Sequence, residues 1–181
     1  MNDREVLIGV TGGIAAYKTA ALVSQLVQAG AGVTVAMSEA ALQFVGTATF
    51  AALTARPVAV KVFDDAYSAG AHIELARRAE LFCLAPVTAN FLAKAASGLA
   101  DDLLSTLYLS FVGPVLVAPA MNCQMWAKKA VQRNVSQLRD DGVQFVDPEE
   151  GWLSCRDQGV GRMAAPERIF TAIEERLVSN D

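Results

Sequence analysis

The chain has 181 residues, 53% of them hydrophobic, and a formal net charge of −4 at pH 7. This length suffices for one well-buried domain, and because the sequence contains no Pro/Ser-rich linker we expect a single domain over residues 1–181. The lysines and arginines are scattered and no uncharged apolar run is long enough to span a membrane, so we expect a small-molecule partner, with no nucleic acid and no membrane.

Short apolar runs alternate along the chain with longer segments of helical character. This alternation predicts an α/β fold in which helices cover both faces of a parallel sheet. The expected strands lie at residues 6–10, 33–37, 81–85, 115–118 and 143–146. The expected helices lie at residues 14–29, 40–44, 49–54, 128–140 and 166–178, and another begins near Thr88.

Two glycines, Gly12 and Gly13, lie where the first strand turns into the first helix. Glycines let the backbone approach an anion there, and the free amides at the start of a helix point toward it. The spacing is neither that of a dinucleotide loop nor that of a Walker loop, so the glycines either bind a phosphate or only form a tight turn. Ser38 follows the second strand, where a hydroxyl suits a phosphate. Although Glu39 comes next, this favours a mononucleotide such as FMN over NAD.

The helix after the third strand begins with Thr88 and Asn90, which can offer hydroxyl and amide groups to a phosphate or to ribitol. An ordinary N-cap role for Thr88 is compatible with this function.

The most informative segment is Pro-Ala-Met-Asn-Cys-Gln-Met-Trp at residues 119–126, directly after the fourth strand. Ligands of open α/β sheets bind beyond the carboxyl ends of such strands. Asn122 can hold a carboxylate or an amide without adding a charge. The alternative is that Asn122 caps a helix, with Met125 and Trp126 in the core.

His72 is the only histidine, and it is either a candidate base or a residue with a surface or packing role. Residues 151–163 are punctuated by glycines and show neither a helix nor a strand period, which predicts a mobile lid. Cys155 lies in this segment, whereas Cys83 lies within the third strand and is expected in the core. Three cysteines and the lack of signal-peptide features at the N-terminus predict a reduced, cytoplasmic protein.

Residues 119–126 match, position for position, the P-x-M-N-x-x-M-W signature of the homo-oligomeric flavin-containing cysteine decarboxylases. The chain resembles this family from residue 9 to about residue 169, including the glycine turn, an H-I-x-L run that starts at His72, residues 85–94 and residues 151–163. The resemblance implies a Rossmann-like (flavodoxin-like) three-layer sandwich with a central parallel sheet. It also implies FMN-dependent decarboxylation of 4'-phospho-N-pantothenoylcysteine to 4'-phosphopantetheine in coenzyme A biosynthesis.

The resemblance also assigns roles to individual residues. His72 would assist proton removal and Cys155 would be the acid of the last step. Asn122, Arg77 and Met163 would bind substrate, although an exposed helix-face position remains an alternative for Arg77. No metal is expected. The residues expected at FMN are Gly12, Gly13, Ile14, Ser38, Thr88, Ala89, Asn90, Phe91 and Ala120.

One position departs from the family pattern. In the family the cysteine of the lid segment is usually followed by glycine, whereas here Arg156 follows Cys155. A cation there either favours the thiolate form of Cys155, which would weaken it as a proton donor, or helps to hold the substrate phosphate. The family also implies a homotrimer or a homododecamer built from trimers. Because relatives often carry a fused synthetase and this chain ends at Asp181, the resemblance implies either a separate phosphopantothenate–cysteine ligase or a sequence that is part of a longer protein.

Two other functions remain open. An oxidative decarboxylase of peptidyl C-terminal cysteine, as in lantibiotic maturation, stops at the enethiol and needs no proton-donating cysteine, so Cys155 argues against it. A non-catalytic regulatory protein on the same scaffold typically lacks the histidine, so His72 argues against that function.

Overall fold

The computed structural model describes residues 1–64 and 66–179. Five strands pair in parallel in the order β2-β1-β3-β4-β5, which is the order of flavodoxin-like doubly wound folds. Their bounds are β1 Glu5–Val10, β2 Gly32–Met37, β3 Leu81–Val87, β4 Val115–Pro119 and β5 Gln144–Phe145. The predicted fold class is confirmed, and so is the position of every predicted strand.

Helices connect these strands and cover the sheet. They are α1 Ala16–Gln28, α2 Thr47–Thr54, α3 Ala71–Arg78, α4 Ala89–Ser97, α5 Leu103–Ser110, α6 Cys123–Trp126, α7 Lys129–Asp140 and α8 Pro166–Val178, together with a 3-10 helix at Glu39–Gln43. The helix predicted at residues 40–44 is this 3-10 helix. Helix α8 has the predicted bounds, with Pro166 at its first position.

Two apolar cores lie on opposite faces of the sheet. Successive strand residues point to opposite faces, so Val6 and Ile8 belong to one core while Leu7 belongs to the other. Helices α1 and α8 cover the first core, for example through Leu22 and Ile173. Helices α3, α4, α5 and α7 cover the second core. Both faces of the central strands are therefore buried, which explains their continuous apolar runs.

A separate two-stranded antiparallel sheet follows β5, formed by β6 Glu149–Trp152 and β7 Gln158–Arg162. Residues 151–163 thus form most of a hairpin although their sequence shows no strand period, and the mobile lid stays a prediction. Glycines at 151, 159 and 161 remove the side-chain alternation by which a strand is recognised. Two of them let the hairpin approach the segment after β4: a Cβ atom on Gly159 would lie 2.9 Å from the Cβ atom of Cys123, and one on Gly161 would lie 2.3 Å from the carbonyl oxygen of Met121.

None of the helices in the described part of the chain is both long and apolar enough to cross a membrane. The three cysteines are free: Cys83 is buried in the core as predicted, Cys123 is half-buried and Cys155 is exposed. Burial raises the pKa of the Cys83 thiol well above its usual range. Within residues 1–64 and 66–179, no group of three His, Cys, Asp or Glu side chains is arranged to hold a metal ion.

Candidate functional site

A cavity of about 930 Å³ opens at the carboxyl ends of β1, β2 and β3. Thr11 directly follows β1, Ser38 follows β2 and Thr88 follows β3, and all three line this cavity. The strand order changes direction between the neighbouring strands β1 and β3, because the chain runs from β1 to β2 on one side and from β3 to β5 on the other. Such a switch point leaves a crevice where ligands bind in open α/β sheets. The volume is in the range of pockets that hold a cofactor or a drug-sized molecule.

Six of the nine residues expected at the cofactor line the cavity: Gly12, Ser38, Thr88, Ala89, Asn90 and Phe91. The other three, Gly13, Ile14 and Ala120, are not part of its lining in the described residues. Ile14 is 55% exposed on the protein surface.

Two hydroxyl groups at the cavity keep a proton available for a ligand. Ser38 caps the 3-10 helix by accepting a hydrogen bond from the backbone amide of Ala41, and Thr88 caps α4 by accepting one from Phe91. A hydroxyl that accepts through its lone pair can still donate its proton. The capping and ligand-binding roles considered for Thr88 are therefore compatible, and two helix N-termini meet at the cavity, which favours an anion there.

Thr11 joins the two sides of the cavity, a role that the sequence did not indicate. Its hydroxyl donates to the carbonyl oxygen of Pro86 at 2.8 Å and accepts the amide of Thr88 at 3.0 Å. The side chain is almost fully buried. Its hydrogen bonds hold the end of β1 against the turn that starts α4, so Thr11 fixes the position of the Thr88 cap.

Gly12 permits a close approach that no other residue allows. A Cβ atom at this position would lie 2.5 Å from the Cβ atom of Ala40, at the start of the 3-10 helix. The glycine turn therefore packs directly against the segment that follows Ser38, and the two elements form one continuous wall.

A charged cluster forms another part of the wall. Lys94 contacts Asp101 at 2.6 Å and Asp102 at 2.7 Å. The hydrogen bonds to Asp101 and Asp102 raise the pKa of Lys94. Burial acts to raise the pKa of Asp102, but hydrogen bonds from Lys94 and Ser105 lower it overall. With one lysine and two aspartates, the cluster has a formal net charge of one negative unit. Sequence reasoning missed this cluster, because only the turn after α4 brings the aspartates back to Lys94.

Apolar side chains complete the lining. Val60, Val62 and Phe63 come from the segment between β2 and α3, and Met125 comes from α6. Phe63 is 92% exposed at this surface. The cavity thus combines hydroxyl groups, a charged cluster and an apolar wall.

Asn122 both caps a helix and contacts Cys155. Its Oδ1 atom accepts the backbone amide of Gln124 at 2.8 Å, as expected of the N-cap of α6. Its Nδ2 atom donates to the Sγ atom of Cys155 at 3.1 Å. The two interpretations of Asn122 are therefore compatible, since capping uses the oxygen and leaves the NH₂ group facing the hairpin.

Cys155 stands in the turn between β6 and β7. The turn is closed by a hydrogen bond of 2.9 Å from the Leu153 amide to the Asp157 carbonyl oxygen. Arg156 has a φ of 67°, in the left-handed region that glycine adopts at little cost. This conformation gives a physical reason why glycine suits the position and arginine is strained there.

The structure does not bring His72 to the Asn122–Cys155 pair by any hydrogen bond among the described residues. His72 lies in the first turn of α3, and its Nδ1 atom is buried without a hydrogen-bond partner in residues 1–64 and 66–179. Arg77 lies one turn further on and is exposed, beside a groove lined also by Ile73 and Phe111.

Met163 differs from the expectation for a substrate-binding side chain. It is fully buried in the core under α1 and α8, with a relative exposure of 0%. Only its backbone is available: its carbonyl oxygen accepts a hydrogen bond of 3.5 Å from Lys18. The Met163 side chain therefore packs in the core, and its predicted contact with substrate stays a prediction.

The model of the family described as Flavoprotein matches residues 1–178. The coenzyme A biosynthesis bifunctional protein CoaBC of Bacillus subtilis is 47% identical over 178 residues, which are 98% of this chain and 44% of that protein. The protein of the same name from Haemophilus influenzae is 41% identical over 176 residues, 97% of this chain and 44% of that protein. The chain thus spans less than half the length of these curated relatives.

Two solved structures share the fold over nearly the full chain. The FMN-dependent cysteine decarboxylase SpaF has a TM-score of 0.86 and 33% identity, and the alignment covers 98% of this chain and 97% of SpaF. A cysteine-to-serine mutant of PPC decarboxylase, complexed with pantothenoylaminoethenethiol, has a TM-score of 0.85 and 28% identity, with 98% and 99% covered.

Proposed function

The chain belongs to the Flavoprotein family, and we propose that it decarboxylates 4'-phospho-N-pantothenoylcysteine to 4'-phosphopantetheine in coenzyme A biosynthesis. The observation that carries this proposal is the contact of 3.1 Å between the Asn122 amide and the Cys155 thiol. It joins a group suited to hold a carboxylate with a group suited to give a proton. The names of the relatives from Bacillus subtilis and Haemophilus influenzae support the same pathway.

The cofactor is FMN, and the residues of the cavity fit it. The hydroxyl groups of Ser38 and Thr88, with the start of α4, suit the phosphate and the ribityl chain. The apolar wall with Phe63 and Met125 suits a flat ring system. The acidic cluster around Lys94 disfavours a phosphate at its own end of the cavity, so the phosphate belongs at the hydroxyl end.

Bound flavin supplies a two-electron oxidation that turns the cysteine moiety into a thioaldehyde, which readily loses carbon dioxide, and it returns the electrons afterwards. The residues of the chain handle the carboxylate and the protons. Asn122 has its oxygen fixed by the Gln124 amide, so its NH₂ group is left to hold the substrate carboxylate until it leaves. His72 takes a proton from the substrate, and Arg77 contributes to substrate binding. Cys155 gives a proton to the enethiolate carbon that lost the carboxylate, which forms a thioaldehyde. The returned pair of electrons then reduces this thioaldehyde to the thiol product.

We further propose that the chain is a single flavoprotein domain and forms a homo-oligomer, either a trimer or a dodecamer built from trimers. Strongly exposed apolar side chains support an interface, such as Val112 at 98% and Tyr17 at 60% exposure. The buried, unpartnered Nδ1 atom of His72 also supports it, since a neighbouring subunit can supply what the described residues do not. The free cysteines support a cytoplasmic location. The functional partner is a phosphopantothenate–cysteine ligase, whose product is the substrate.

The test is to incubate the FMN-loaded protein with 4'-phospho-N-pantothenoylcysteine and to follow carbon dioxide and thiol products by mass spectrometry. Formation of 4'-phosphopantetheine supports the proposal. Release of carbon dioxide with only the oxidised enethiol as product would instead indicate an enzyme of the peptidyl-cysteine type. Binding of FMN without carbon dioxide release would indicate a non-catalytic protein.

A further inference from the structure

We infer that Asp157 is a positioning residue that orients the Cys155 thiol for the last proton transfer. The Oδ2 atom of Asp157 lies 3.5 Å from the Sγ atom of Cys155, within hydrogen-bonding range for sulfur. The Nδ2 atom of Asn122 lies 3.1 Å from the same sulfur. The inference rests on the proposed function, which makes Cys155 the proton donor.

The chemistry of the two neighbours sets the direction of the thiol proton. The NH₂ group of Asn122 can only donate, so the sulfur must accept from it. An ionised carboxylate can only accept, so the S–H group must donate to Asp157. The thiol is thus held in one orientation by two complementary partners, although Cys155 itself is exposed on the turn.

The turn that carries these residues fixes their relative positions. Leu153 anchors the turn, because its side chain is only 7% exposed. The backbone amide of Leu153 also donates to the Asp157 carbonyl oxygen at 2.9 Å. The Arg156 amide donates back to the Leu153 carbonyl oxygen, also at 2.9 Å. Closing the turn in this way keeps the Asp157 carboxylate beside the sulfur.

This arrangement keeps the sulfur beside the site where Asn122 holds the substrate carboxylate. That site becomes empty when carbon dioxide leaves. A rotation about the Cβ–Sγ bond turns the proton from Asp157 to the substrate without displacing the sulfur. The S–H bond breaks, a C–H bond forms at the enethiolate carbon that lost the carboxylate, and the substrate becomes a thioaldehyde. The two electrons taken from the substrate in the first step then reduce this thioaldehyde to the thiol, and Cys155 is left as a thiolate that the Asn122 NH₂ group stabilises. Solvent, which reaches the exposed turn, restores the proton for the next cycle. Without Asp157 the thiol samples other rotamers, and the oxidised enethiol escapes before it is protonated.

The experiment compares Asp157→Ala and Asp157→Asn with the unchanged FMN-loaded protein on 4'-phospho-N-pantothenoylcysteine. Carbon dioxide release reports the steps before the proton transfer, and the ratio of thiol to enethiol reports the transfer itself. For Asp157→Ala we expect normal carbon dioxide release in a single turnover, because each escaping enethiol leaves two electrons on the flavin. We also expect a fall of about 10-fold or more in this ratio, since a positioned acid contributes about 10²–10⁴-fold. For Asp157→Asn we expect most of the ratio to return, because the amide oxygen still accepts the S–H group.

Ser154→Ala is the matched control, since Ser154 is an exposed residue of the same turn. An unchanged product ratio in Asp157→Ala would overturn the inference. An equal loss in Asp157→Ala and Asp157→Asn would also overturn it, because charge rather than the acceptor oxygen would then be decisive. If the unchanged protein itself released no carbon dioxide, the proposed function would fail, which is a separate result.

Discussion

The Nδ2 atom of Asn122 and the Sγ atom of Cys155 lie 3.1 Å apart although the two residues are 33 positions apart in the chain. Asn122 is the N-cap of α6, just after β4, and Cys155 belongs to the β6–β7 hairpin. The contact therefore depends on how closely the hairpin packs on the segment after β4, which the small residues at 159 and 161 permit.

Asn122→Asp is expected to reduce carbon dioxide release by about 100-fold, the effect of losing one well-placed donor at a catalytic site. A carboxylate at this position repels the substrate carboxylate instead of donating to it. Because aspartate is as good an N-cap as asparagine, α6 stays intact and the FMN content should not change. Carbon dioxide release and flavin absorbance measure the two effects. Wild-type turnover in this variant would remove Asn122 from carboxylate binding.

Cys155→Ser is expected to release carbon dioxide in a single turnover and to leave the oxidised, ultraviolet-absorbing enethiol together with reduced flavin, since a hydroxyl is a much weaker acid than a thiol. Cys123→Ser is the control, because Cys123 lies next to Asn122 and has no proposed role in proton transfer. Absorbance and mass spectrometry of the products distinguish the two variants. Normal formation of 4'-phosphopantetheine by Cys155→Ser would contradict the role of this cysteine.

His72→Asn should keep bound, yellow FMN and lose carbon dioxide release by about 10²–10⁴-fold, the usual contribution of a positioned base. Arg78→Gln, an exposed change on the same helix, serves as the control. Initial rates at saturating substrate provide the measurement. If His72→Asn turned over normally, the histidine would have only a packing role.

Thr11→Val should weaken FMN binding by about 10-fold, equivalent to about 1.4 kcal/mol. The change leaves the Thr88 amide without the hydroxyl that accepts from it at 3.0 Å, and an unsatisfied buried donor costs about 1–3 kcal/mol. The Pro86 carbonyl oxygen keeps its bond to the Thr11 backbone amide. Titration of the apoprotein with FMN, followed by flavin fluorescence, measures the affinity. Thr11→Ser retains the hydroxyl and should bind FMN normally, whereas equal affinity in all three proteins would show that this hydroxyl does not position the cap.

Arg56→Gln should lower the free energy of unfolding by about 1–2 kcal/mol near neutral pH, as a partly exposed charged hydrogen-bonded pair allows. The Arg56 guanidinium contacts both carboxylate oxygens of Glu5, at 2.6 and 2.8 Å. The hydrogen bond from Arg56 lowers the pKa of Glu5 from its usual 4.5, so the stabilisation is present above that value and is lost as the pH falls through the lowered pKa. The difference between the two proteins should therefore shrink in acid. Urea unfolding at about pH 7 and about pH 3 measures it, and a difference that stays constant would refute the assignment.

The central sheet could be predicted from the sequence because strands buried on both faces leave continuous apolar runs, as in β3, where every residue is buried. Helix α5 could not, since its sequence Leu-Leu-Ser-Thr-Leu-Tyr-Leu-Ser is apolar on most sides and shows no helical period. The β6–β7 hairpin was missed for a different reason. Its glycines serve close packing against another segment, and that requirement leaves no local pattern.

The candidate site also contains residues that the sequence predicted and residues that it did not. Ser38, Thr88 and Asn122 follow predicted strands, and side chains in such places meet at one edge of a parallel sheet. Thr11 and the Lys94 cluster act through partners about 75 and 7 positions away, and single-sequence reasoning has no access to such pairings. Met163 lies within a segment of the family resemblance, but the sequence did not indicate that its side chain is fully buried.

Cys155 lies in the β6–β7 hairpin, a two-stranded ribbon. In the described residues, neither strand of this ribbon pairs with a strand of the five-stranded sheet. Under the proposed function, flavin binding and carbon dioxide loss depend on the large sheet, whereas the fate of the oxidised product depends on the ribbon. Replacing residues 153–157 alone should therefore change the released product from a saturated thiol to an enethiol. The fold thus separates which bond is cleaved from which compound is released, and evolution or protein engineering can alter the second without rebuilding the first.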